Sequence, residues 1–255
     1  MRASVIAGRL GLAVLIALGA SRTARADDDV PPLTREQVEK VVHDYLMREP
    51  EVLFEAAQVY KHRQEERAAA QASGKIVAQH AAIFDPEAPS AGSADAKVTL
   101  VEFFDFHCGY CRRMQPALQK MLAENSDVRI IFKDLPILGP NSRIAATAAL
   151  AARRQRPERY YDLYQALFRT PDLTEANVMA IAETFGVDGA RLRQDMADPA
   201  IKAELDANIG LAHDLGISGT PAFVLGTSLI QGSMPEGDLL RRIDEVRRAC
   251  AAAAC

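Results

Sequence analysis

Val98-Thr99-Leu100-Val101-Glu102-Phe103-Phe104 runs straight into Asp105-Phe106-His107 and then Cys108-Gly109-Tyr110-Cys111. The first seven residues are apolar apart from Thr99 and Glu102, the pattern of an interior strand covered on both faces. Behind the cysteines, Met114, Leu118, Met121 and Leu122 recur at the spacing of one helical face. The stretch therefore reads as a dithiol between the top of a strand and the first turn of a helix. Unpaired amides at a helix N-terminus favour negative charge, so a sulfur there ionises more readily than a free thiol. Cys108 is the candidate nucleophile. Cys111, one turn further on, is placed to close a disulfide with it or to resolve a mixed disulfide. A zinc or copper(I) half-site is the competing reading of this spacing. A structural zinc site needs two more ligands, and His43, His62, His80 and His213 show no ligand spacing. No metal and no cofactor is assigned.

Working outward, residues 128–132 form the next strand, and the crossover between the two is expected to be parallel and right-handed. Between 141 and 216 there are helical periods and no strand: Ile144 with Ala148 and Ala151, Tyr160 with Tyr164 and Leu167, Val178 with Ile181 and Phe185, and Ile201 with Leu205 and Ile209. Strands resume at 221–225 and 228–231 around Gly226, and a helix from about 235 to 249 closes the domain. The order predicts an α/β domain over 97–249 with a helical insertion at 141–216. Leu100, Glu102 and Phe104 share one strand face. The Glu102 carboxyl is thus expected to be desolvated, with a raised pKa, and suited to pass a proton to or from Cys111. The alternative is a structural Glu102 paired with a basic neighbour such as Lys133.

The N-terminal third has a different character. Arg2 and Arg9 flank the start of an apolar run at 10–20, and Ala24-Arg25-Ala26 fits a small-x-small cleavage site. Residues 1–26 read as a secretory signal, with an uncleaved anchor as the alternative. No later stretch has the roughly 20 apolar residues a spanning helix needs, so an exported, soluble, periplasmic chain is expected. The sequence as a whole carries 30 basic and 34 acidic residues, a formal charge of -4, and losing Arg2, Arg9, Arg22 and Arg25 makes it more acidic still. Such a balance argues against a nucleic-acid partner. Residues 27–75 read as a helical module. Thr34 and Gln37 make a capping box, with Leu33 and Val38 as its hydrophobic staple. Two short helices follow, broken at Pro50, with apolar stripes Val38-Val41-Val42-Tyr45-Leu46 and Val52-Leu53-Ala56-Ala57-Tyr60, the second ending near Gly74. Such stripes cannot bury much alone and need a cover, a second copy or the main domain. Residues 76–96, with Pro86, Pro89 and Gly92, read as linker and domain entry.

Three motifs in order, the run 101–111, the helical insertion, and Gly216-Ile217-Ser218-Gly219-Thr220-Pro221-Ala222-Phe223, resemble the DsbA family of thioredoxin-fold periplasmic disulfide oxidoreductases over roughly 83–248. The N-terminal module is similar to that of its copper-sensitivity-suppressor C and Com1-like members. The resemblance implies a thioredoxin-like fold, with Pro221 as a cis-proline facing the dithiol and aligning substrate backbone, the competing reading being an ordinary trans turn. It places Thr220 as the residue type of isomerase-like members and Glu102 as the buried acid beneath the site. Tyr110 would shape the substrate surface. His107 precedes the nucleophile, whereas the family's histidine, where present, lies between the cysteines. The implied activity is thiol–disulfide exchange on exported proteins, leaning toward isomerase or reductase. The alternatives are an oxidase recycled by a membrane redox partner and, from another class, a copper(I)-handling protein. A homo-oligomer of several catalytic domains, three being one such count, is implied for the N-terminal module. Cys250 and Cys255 lie outside the motifs and read as an accessory pair in the tail at 250–255.

Overall fold

The computed structural model describes residues 32–252; the expected signal segment and Cys255 lie outside the described residues. The described chain falls into two compact units, one up to Gln58 and one from Val59.

In the first unit, α1 (Arg35–Arg48) starts at the predicted capping box, the Thr34 hydroxyl accepting from the Gln37 amide while the Gln37 side chain accepts from the Thr34 amide. No α1 residue is buried, and Val38, Val41, Val42, Tyr45, Leu53 and Phe54 are all exposed. α2 (Glu51–Ala78) begins just after Pro50 and does not stop near Gly74. It is a single 28-residue helix. The alanine-rich stretch has high helix propensity and outweighs one glycine, whose cost is about 1 kcal/mol.

The segment expected as a linker is instead structured. α3 (His80–Ile83) and the short edge strand β1 (Ser90–Gly92) fall within it, and β1 pairs antiparallel with the strand at 128–134. Ile76, Ile83 and Ala88 are buried in the second unit's core. Three residues give too short a period to be read from sequence. Gly92 is required here: its φ is +97°, and a Cβ would stand 2.5 Å from the Val128 carbonyl oxygen.

β2 (Val98–Phe104), α4 (Gly109–Glu124) and β3 (Val128–Asp134) form the predicted parallel crossover. The insertion holds α5 (Pro140–Gln155), α6 (Tyr160–Arg169), α7 (Glu175–Thr184), α8 (Gly189–Met196) and α9 (Pro199–Leu215), with a single 3-10 turn before α6. β4 (Ala222–Leu225) and β5 (Ser228–Gln231) make a hairpin, and α10 (Glu236–Ala252) runs slightly past the predicted end. The sheet order is β1-β3-β2-β4-β5, with β2 antiparallel to β4. This is a thioredoxin-like fold with a helical insertion.

The alternation of β2 sorts the core. Leu100 and Phe104 pack with Ile130, Phe132, Phe223 and the helices α4 to α8. Val101 and Phe103 pack with Ile131, Val224, Ile76, Leu211 and Leu215 on the other face. Each such side chain contributes roughly 1.5–3 kcal/mol on burial. Glu102 therefore points into the larger core with its strand neighbours Leu100 and Phe104. No helix among the described residues is long and apolar enough to cross a membrane.

Candidate active site

β2 ends at Phe104, and Asp105 turns the chain. Its Oδ1 accepts from the His107 amide at 2.8 Å, and its carbonyl accepts from the Cys108 amide at 2.9 Å. Its Oδ2 accepts from the amides of Ile137 and Leu138 at 2.9 and 3.0 Å, clamping the loop after β3 against the turn. The turn delivers Cys108 to the N-cap of α4, where its Sγ accepts from the Cys111 amide at 3.3 Å. At the other end of the same helical turn, Arg112 donates to the carbonyls of Phe168 and Thr170, fixing α4 to the end of α6.

Cys108 and Cys111 are both free thiols and both buried. The hydrogen bond from the Cys111 thiol brings the Cys108 pKa down to about 5; burial opposes this, while the Thr220 side chain and the amides of Cys111 and Tyr110 support it. Burial pushes the Cys111 thiol far up, with the bond to Cys108 and the Glu102 charge acting in the same direction. The two sulfurs are thus strongly unequal, mainly through the side-chain bond between them and the burial of Cys111, with the helix amides adding to the lowering at Cys108. Thr220, 112 residues further along, meets the dithiol: as a thiol, Cys108 donates to the Thr220 carbonyl oxygen at 3.2 Å. The Thr220–Pro221 bond is cis, not the trans turn that was the alternative.

Glu102 is fully buried, and burial raises its pKa to about 8, against the hydrogen bond from Tyr164 that lowers it. The alternative pairing with Lys133 does not occur. Lys133 sits opposite Phe103 in the β2–β3 register, one residue out of phase with Glu102, so its side chain leaves by the other face. Tyr110 is 58% exposed beside the cysteines, with the Arg113 guanidinium 4.1 Å from its ring centre. His107 Nε2 is buried with no hydrogen-bond partner among the described residues. No group of three or more His, Cys, Asp or Glu that could hold a metal gathers among the described residues.

Sequence reasoning missed Tyr164, Gln115 and Asp105. The Tyr164 hydroxyl donates to Glu102 Oε2 at 2.6 Å, and Gln115 Nε2 donates to that hydroxyl at 2.8 Å. A signal existed for the first: a tyrosine within a buried apolar stripe needs a partner for its hydroxyl, and Glu102 was the buried acid available.

Fold and site together define a thioredoxin-fold dithiol domain in which Cys108 caps a helix and faces the residue before a cis-proline. Residues 99–244 match the DSBA-like thioredoxin domain and residues 35–67 the N-terminal domain of the copper resistance protein ScsC. The chain belongs to the DSBA-like thioredoxin family and is ScsC-like in its two-part organisation. A linker-deletion variant of ScsC from Proteus mirabilis superposes with a TM-score of 0.65 at 29% identity, over 86% of this chain and 99% of that one. Disulfide bond formation protein D of Bacillus subtilis is 23% identical over 168 residues, 62% of this chain and 76% of the relative. A Na(+)/H(+) antiporter, NhaA 3 of Salinispora tropica, is 32% identical over 135 residues, 52% of this chain but only 20% of the antiporter's length. The DSBA-like domain match and the disulfide bond formation protein support thiol–disulfide exchange as the chemistry of the site.

Proposed function

We propose that the protein carries out thiol–disulfide exchange on exported proteins, chiefly in the isomerising and reducing direction. The split between the two sulfurs, a Cys108 held near 5 beside a Cys111 pushed far up, supports exchange best, and Thr220 before the cis-proline with the exposed stripes of the N-terminal helices supports the isomerising direction. At neutral pH Cys108 is the thiolate that attacks a substrate disulfide, and Cys111 is the protonated reserve that resolves the mixed disulfide. Glu102 exchanges a proton with Cys111. Thr220 and Pro221 align substrate backbone over Cys108, and Tyr110, with the exposed Ile137 and Leu138, offers apolar surface to an unfolded chain. The exposed stripes of α1 and early α2 join several copies into one particle, which raises the local concentration of dithiols around a misfolded substrate. Location in the periplasm follows from the expected signal segment.

A specific observation favours a second reading, an oxidase recycled by a membrane redox partner. A stabilised Cys108 thiolate favours the dithiol over the disulfide and so makes the pair more oxidising. Reduction potential separates the two: a value near roughly -180 mV fits an isomerase and one near roughly -120 mV a strong oxidant. Refolding of a scrambled multi-disulfide substrate, run beside oxidation of a reduced one, tests the direction. Failure to isomerise, with efficient oxidation, would overturn the first reading. Copper(I) titration of the reduced protein tests metal handling by the same dithiol.

A further inference from the structure

Behind the dithiol, three buried polar side chains from three elements form one chain of hydrogen bonds: Glu102 on β2, Gln115 on α4 and Tyr164 on α6. Gln115 Nε2 also reaches the Cys111 carbonyl oxygen at 3.5 Å, so the chain ends at the resolving cysteine's own backbone. Gln115 donates to the Tyr164 oxygen, and Tyr164 spends its single proton on Glu102 Oε2. Burial keeps the phenol protonated by raising its pKa well above the usual value, so this donor persists at alkaline pH. Oε2 thereby accepts from the phenol, which leaves Oε1 as the oxygen to carry a carboxyl proton. That oxygen is buried and has no hydrogen-bond partner among the described residues.

We infer that Tyr164, oriented by Gln115, is a positioning residue for Glu102: it pins Oε2 and so leaves Oε1 as the oxygen that exchanges a proton with Cys111. The inference rests on the relay role given to Glu102 above. In the resolving step the Cys111 S–H gives its proton to Oε1 of the carboxylate, and the resulting thiolate attacks Cys108 Sγ. The Cys108–Cys111 bond forms as the Cys108–substrate bond breaks, and the electron pair leaves with the substrate thiolate. The substrate disulfide is reduced by two electrons and the dithiol is oxidised. In the reverse direction Oε1 returns the proton to Cys111.

The phenol also sets when the relay is charged, because its hydrogen bond favours the carboxylate against burial. The test is stopped-flow reaction of the reduced full chain with a disulfide-linked peptide pair. The first peptide released reports attack, and the second reports resolution. In the native protein, resolution is expected to rise with pH through a midpoint near 8. Tyr164→Phe should move that midpoint up by ~1 unit, slowing second-peptide release roughly fivefold at about pH 8, with the same rate at the alkaline plateau. Gln115→Leu keeps the phenol but removes the group that polarises it, and should shift the midpoint the same way by less. Glu102→Gln should abolish the midpoint, and adding Tyr164→Phe to it should change nothing further. The infrared band of the protonated Glu102 carboxyl gives the same midpoint without turnover, and Gln115→Leu serves if Tyr164→Phe does not fold. If Glu102→Gln keeps the midpoint, the relay reading itself is wrong. If Glu102→Gln loses it while Tyr164→Phe and Gln115→Leu leave it unmoved, the relay stands and the positioning role of Tyr164 is refuted.

Discussion

Replacing Cys111 by Ala should raise the pKa of Cys108, because the largest influence holding that thiol near 5 is the hydrogen bond from the Cys111 side chain. A hydrogen bond to a charged group is worth about 1.5–3 kcal/mol, and one pKa unit is about 1.4 kcal/mol. The midpoint is therefore expected to climb by ~1–2 units, to about 6–7. It should not reach the free-thiol value of about 8.5, because the amides of Cys111 and Tyr110 and the Thr220 side chain remain. At about pH 6 the thiolate fraction then falls from roughly nine-tenths to between about one-half and one-tenth, and labelling slows about two- to tenfold. At alkaline pH labelling should not slow, since both forms are ionised and nucleophilicity rises with pKa. Cys111→Ser keeps a hydrogen-bond donor at that place, so its midpoint should stay closer to the native one. The assay is the rate of iodoacetamide capture as a function of pH, read by intact mass, with ultraviolet thiolate absorbance as an independent titration. A midpoint in Cys111→Ala that is unmoved or lower, or a Ser variant that behaves like the Ala variant, would refute the assignment of the side-chain bond as the main cause.

Stability should depend on pH in opposite senses at the two acidic groups of the site. The folded pKa of Cys108 is depressed, so its contribution to the reduced protein is present above the unfolded thiol value and is lost as pH falls through about 5; melting of the native protein against Cys108→Ser should show their gap shrinking across that window. Glu102 is raised to about 8, so folding is favoured most below its ordinary value and loses that advantage as pH rises through about 8; Glu102→Gln should gain in relative stability on that alkaline side, and a constant difference in melting temperature would count against it. Ile76→Ala should cost about 2–5 kcal/mol of the second unit's stability, as for other large core truncations, because Ile76 is fully buried; denaturation that is unchanged would show that the end of α2 does not belong to that core. Val41→Glu combined with Leu53→Glu places charge on the exposed stripes and should yield monomers by light scattering with peptide disulfide exchange intact; an unchanged mass would remove the stripes as the basis of assembly.

Much of this was legible along the chain because its causes are local. The capping box at Thr34, the mostly apolar β2, the helix opening at Cys108 and the strand–helix–strand crossover each follow from side chains within a few positions of one another. The depth of Glu102 was also readable, since residues two apart on a strand share a face and its neighbours Leu100 and Phe104 are apolar. Where sequence reasoning stopped short, the deciding contacts were distant or the segment was too short to show a period. The edge strand β1 has three residues and exists because β3 offers it a ladder. α2 continues past Gly74 into the second unit's core, where Ile76 and Ile83 find partners such as Leu211 and Leu215 far along the chain.

The sequence by itself determined the thiols, their order and the helix terminus on which they sit, because a dithiol with two residues between its cysteines at a strand–helix junction carries its own geometry. Only the tertiary structure decided what surrounds them. Packing of α6 and α4 against β2 brings Tyr164 and Gln115, from distant stretches of chain, into one hydrogen-bonded line with Glu102. Return of the chain into the sheet at β4 sets the Thr220 carbonyl against Cys108. A hydrogen bond depends on separation in space, and for a buried group the identity of its partner determines which oxygen carries the proton and at what pH it leaves.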